Sequence, residues 1–74
     1  MNVSPETMPE YRIRPVRGQV WDWRGIKVLV TRLARDGSWA DIRCYGTGGN
    51  VWSKRQKLPF GEDWELTSEY VVMS

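Results

Sequence analysis

The chain has 74 residues, enough for one domain, with five Trp, a single Cys, no His and a net charge of +2. It holds no run of 18 apolar residues for a transmembrane helix and no apolar signal segment near its start, and Cys44 alone cannot form an intrachain disulfide. That cysteine usage points to a reducing cytoplasm.

In chain order, residues 1–10 read as a flexible, disordered polar tail carrying Pro5 and Pro9, and residues 11–74 as the folded unit. Pro15 keeps Arg14 out of the helical region, so residues 11–16 read as extended. Residues 18–23 form a short first strand, with Val20 pointing inward and Trp21 covering an edge. Residues 22–25 make a tight connection into the central feature, a β-hairpin over residues 25–45.

The hairpin's first arm, residues 26–34, is rich in Val, Leu and Ile. Arg35-Asp36-Gly37-Ser38 is its turn, and Asp-Gly between two such runs is a strong hairpin signal. Residues 39–45 alternate apolar and polar. With Asp36 and Gly37 as a two-residue loop, Leu33 opposes Ala40, Thr31 opposes Ile42 and Leu29 opposes Cys44 on the core face. Arg32 then opposes Asp41 on the other face, a favourable cross-strand pair. A bulge would slip this register by one residue.

Residues 46–50 are a flexible glycine-rich turn. Residues 51–54 are a fourth strand, and residues 56–60 leave it, since Pro59 cannot donate to a ladder. Residues 61–67 are read as a loop with a short 3₁₀ turn, and residues 69–73 as the last strand. Apolar spacing of 3.6 is sustained nowhere, so no long helix is expected.

Five short strands, the opening Pro15-Val16-Arg17-Gly18-Gln19-Val20-Trp21 and the central Asp-Gly hairpin resemble the small SH3-like barrels, with the KOW and Tudor modules nearest. In those a Gly begins the first strand and the fourth strand runs into a Leu-Pro-like exit. Here that exit is Trp52-Ser53-Lys54-Arg55-Gln56-Lys57-Leu58-Pro59. The resemblance spans residues 15–73 and implies an all-β, five-stranded SH3-like barrel. The phrase Trp39-Ala40-Asp41-Ile42-Arg43-Cys44 also resembles small proteins encoded by phages of actinobacteria. That implies a phage accessory protein acting in the host cytoplasm. A Tudor-type aromatic cage is not supported, since only Trp21, Trp23 and Tyr45 can be placed near one another.

Chemistry is sparse. Without His the commonest general base is missing, and Cys44 falls on the core face with nothing to activate it. One Cys and no His do not make a zinc site, and Gly46-Thr47-Gly48-Gly49 lacks the Gly-Lys-Ser/Thr ending of a phosphate loop. No enzyme activity, cofactor or metal is expected.

Charge is the informative feature. Residues 12–57 hold all eleven basic residues against three acidic ones, a net of +8, while Glu6, Glu10, Glu62, Asp63, Glu65 and Glu69 flank them. Lys54, Arg55 and Lys57 follow Trp52, and Arg32, Arg43 and Tyr45 extend the surface. Cations that neutralise phosphates beside an aromatic that stacks on a base make a nucleic-acid surface. The plainer reading is a solvated edge strand guarded by its charges, with the acidic flanks folded back. The five Trp are ambiguous in the same way, with Trp39, Trp52 and Trp64 suited to packing around the barrel's ends. The expected function is a binding module for nucleic acid. The alternative is a module that binds a host or phage protein through an exposed Trp/Val face or an edge strand.

Overall fold

In a computed structural model the fold is described for residues 14–72. The expected flexible tail, residues 1–10, lies outside the described residues. The described residues form one antiparallel sheet of five strands: β1 Gln19–Trp23, β2 Ile26–Leu33, β3 Trp39–Tyr45, β4 Val51–Lys57 and β5 Trp64–Tyr70. Their order is β4-β3-β2-β1-β5, so the last strand returns beside the first. A 3₁₀ turn, Thr47–Gly49, joins β3 to β4. Among the described residues no helix is long and apolar enough to cross a membrane.

The turns follow their chemistry. Trp23 pairs with Ile26, leaving Arg24 and Gly25 as a two-residue loop with positive φ at both, and Asp22 Oδ1 accepts the Gly25 N–H at 2.9 Å. The central loop is longer than the expected Asp36-Gly37 pair. Ala34 N–H donates to Trp39 O at 3.0 Å and Gly37 N–H to Ala34 O at 3.2 Å, so the loop covers four residues. Asp36 Oδ1 accepts from both the backbone N–H and the hydroxyl of Ser38, at 3.0 and 2.7 Å. Gly37 closes the loop at φ +76°. Gly37→Val forces a β-branched residue into that region, a strain of about 1–3 kcal/mol. In a domain this small each kcal/mol lowers the melting temperature by about 4–8 °C, so a scan reads the effect directly. An unchanged melting temperature would contradict the turn.

Register in the hairpin is corrected by a bulge. Leu33 faces Ala40 and Arg32 faces Asp41 as expected, but the ladder then shifts, and Val30 faces Ile42 and Val28 faces Cys44. Thr31 is the extra residue, and its hydroxyl donates to Asp41 O at 3.0 Å. A regular ladder would have put the Thr31 hydroxyl on the core face and pushed Val28 and Val30 into water. The bulge exchanges them. Leu29 therefore packs on the opposite face beside Val20, its partner across β1. Val20 is buried as expected, but on that second face, while Trp21, expected to cover an edge, is fully buried in the main core.

That core comprises Trp21, Val28, Val30, Ala40, Ile42, Cys44, Leu58, Phe60 and Trp64. Leu58 and Phe60, on the segment leaving β4, cover the sheet. Phe60 stacks on Trp64 with centroids 4.5 Å apart and meets Trp21 edge-on at 4.7 Å, and Trp23 stacks on Trp64 at 5.5 Å. Lys54 of β4 reaches to 5.3 Å from the ring of Trp23 on β1. Those strands would lie about 14 Å apart in a flat sheet, so the sheet curls over its aromatic contents.

Strand β5 corrects a second expectation. It begins at Trp64 and not Glu69, because Trp64 and Leu66 alternate inward opposite Trp23 and Trp21. Strand β4 likewise runs three residues past its expected end at Lys54.

Candidate nucleic-acid interface

Strand alternation distributes the seven predicted site residues over two faces. Trp52 and Lys54 stand opposite Cys44 and Ile42, on the core side of β4. Trp52 lies against Gly46 with 38% of its surface exposed. Lys54 lies over Trp23. Arg55 and Lys57 point the other way, opposite Asp41 and Trp39, and share the outer face with Arg32, Arg43 and Tyr45. The expected pairing of Trp52 with the whole basic run is thus broken by period-two geometry.

On the outer face Asp41 organises the centre. It accepts from Arg55 Nε at 2.9 Å and forms a second ion pair with Arg32 Nε at 3.3 Å. The hydrogen bond from Arg55, together with the charges of Arg55 and Arg32, holds the Asp41 carboxyl below its ordinary value. The pairing therefore contributes only while Asp41 is ionised and fades as pH falls through the carboxylate range. These exposed pairs orient side chains more than they stabilise the fold. Arg55 also lies over Trp39, its guanidinium carbon 3.6 Å from the ring centroid, and Arg32 approaches the same ring at 5.4 Å. Sequence reasoning assigned Trp39 to packing at a barrel end. Its place opposite Lys57 makes it the platform for two arginines.

Arg43 and Lys57 are exposed, and neither has a carboxylate partner among the described residues. Strands β2, β3 and β4 carry Asp41 as their one acid. The four cations Arg32, Arg43, Arg55 and Lys57 against that carboxylate leave the face with a surplus of +3.

Away from this face, one acid is engaged at the turn between β1 and β2. Asp63 accepts from the Trp23 indole N–H at 3.2 Å and from Arg24 Nε at 2.9 Å. Cys44 is buried, and burial pushes its thiol up, away from the reactive thiolate.

The free edge of β4 has a readable polarity. Gly46 N–H bonds to Asn50 O at 2.8 Å and Leu58 N–H to Ser38 O at 3.0 Å. Antiparallel alternation between these two points directs the backbone groups of Trp52, Lys54 and Gln56 to β3. Those of Val51, Ser53, Arg55 and Lys57 point outward.

Comparison with protein-family models, curated proteins and solved structures gives no match for this chain.

Proposed function

We propose that this protein is a non-enzymatic, SH3-like binding module whose outer β2–β3–β4 face takes the phosphate backbone of a nucleic acid. The observation that carries the reading is the +3 surplus formed by Arg32, Arg43, Arg55 and Lys57 around Asp41, with two of these cations lacking a carboxylate partner among the described residues. The meander order and the curl of the sheet support the barrel assignment. The buried Cys44 and the absence of His support a binding role over a catalytic one.

Phosphate neutralisation releases counterions, so affinity falls with salt in proportion to the contacts made. Replacing Arg43 and Lys57 together by Ser is expected to reduce the log–log salt slope by about 1.5 and to weaken binding to all sequences alike. Folding should change by no more than about 0.5 kcal/mol, because both side chains are exposed. Lys54→Ser, on the other side of the sheet, should leave the slope unchanged. Asp41→Asn removes the opposing charge and should raise affinity at low salt. Absence of any gel retardation of single- or double-stranded oligonucleotides at low salt would overturn the proposal.

A second reading rests on the outward backbone groups of β4. They are a template for an added strand from a protein partner, and the flanking cations would favour an acidic one. Such binding would survive nuclease treatment.

A further inference from the structure

The outer face carries a recess beside its basic stripe. It has a volume of about 300 Å³ and is lined by Val20, Lys27, Leu29, Tyr45, Glu69 and Val71. Val20 and Leu29 form a buried apolar floor, Tyr45 and Val71 are exposed walls, and a Lys27 Nζ–Glu69 Oε1 ion pair of 2.8 Å crosses the rim. The recess exists because the bulge at Thr31 turns Leu29 to this side, where it meets Val20 of β1. The main core uses none of these residues.

Its position relative to the cations is set by register. Leu29 stands opposite Arg43, and Tyr45 opposite both Lys27 and Val51. From Lys57 to Val51, β4 spans about 20 Å and passes Arg55 before ending beside Tyr45. A backbone lying along that path meets Lys57, Arg55 and Arg43 in turn and arrives at the recess.

We infer that the recess receives an unstacked base, and hence that the face selects single-stranded nucleic acid over duplex. The inference rests on the phosphate-binding reading above. An aromatic wall and an aliphatic floor suit the faces of a base, which every nucleotide presents. The Lys27 ammonium and the Glu69 carboxylate at the rim are a donor and an acceptor for its polar edge. A duplex keeps its bases stacked and would have to flip one out at a cost, while a single strand offers them freely. Arg43 at the mouth holds the adjoining phosphate.

The test measures binding of oligothymidylate and of a mixed-sequence duplex of equal length at one salt concentration. The single strand is expected to bind at least about ten-fold more tightly, in line with aromatic–base stacking. Tyr45→Ala should remove most of that preference without altering the salt slope or the duplex affinity. Tyr45→Phe, which keeps the ring, should retain the preference. On the unmodified protein, the methyl resonances of Val20, Leu29 and Val71 should shift with oligothymidylate and stay in place with duplex. Equal binding of both nucleic acids, with unshifted methyls and an unchanged salt slope, overturns the recess and leaves the phosphate-binding face standing. No binding of either overturns both.

Discussion

Trp21→Ala is expected to remove a large part of the stability of the native state. Trp21 is completely buried, meets Phe60 edge-on, and sits where β1 joins both β2 and β5. Truncating such a residue costs about 3–5 kcal/mol, from lost transfer energy and from the cavity left behind. A domain of this length has a total stability of roughly 4–11 kcal/mol at the usual value per residue. The variant should show weaker near-ultraviolet dichroism and unfold at much lower urea. Trp52→Ala, at the exposed margin of β4, should cost far less. If Trp21→Ala lowered stability by under 1 kcal/mol, the aromatic assembly of Trp21, Phe60 and Trp64 would not be the centre of the core.

The second large effect is expected at Gly18. Its φ of +98° is a conformation that residues with a side chain rarely adopt, and a Cβ there would overlap the carbonyl oxygen of Val71 and lie 3.0 Å from the Tyr70 ring. The backbone has no room to retreat. Gly18 N–H donates to Val30 O at 2.9 Å, and Gly18 O accepts from Val71 N–H at 2.8 Å. Gly18 therefore ties the entry of β1 to β2 and to the chain just after β5. Gly18→Val combines backbone strain with a steric overlap and should destabilise by roughly 3 kcal/mol. Hydrogen exchange should locate the damage, with Val71 N–H losing protection before the β2–β3 amides. Retained protection at Val71 would show that the end of β5 is held some other way. Because Val71 also walls the recess, this variant should weaken single-strand preference while sparing the salt slope.

Local chemistry alone was enough for much of the fold. Alternation over residues 39–45 identifies Ala40, Ile42 and Cys44 as inward-facing, and all three are buried. The Asp36-Gly37 signal places the central turn, and the lack of helical periodicity makes the chain all-β. These readings depend on neighbours within a few residues, which is where turn propensity and pleat alternation act. The basic character of residues 12–57 is equally plain from the sequence.

Tertiary structure decided the rest. The bulge at Thr31 follows from what Val28 and Val30 gain by joining the core with Phe60 and Trp64, both far along the chain from β2. The first half of β5 reads as an acidic loop until Trp64 and Leu66 find Trp23 and Trp21 more than 40 residues earlier. The candidate interface obeys the same division. Sequence marks the cations, but only strand pairing sends Lys54 and Trp52 to one side of β4 and Arg55 and Lys57 to the other. It also sets Asp41 between two arginines and opens a recess beside Tyr45. Turn chemistry and charge are properties of a short stretch of chain. Which face a side chain occupies is decided by the distant residues it buries against.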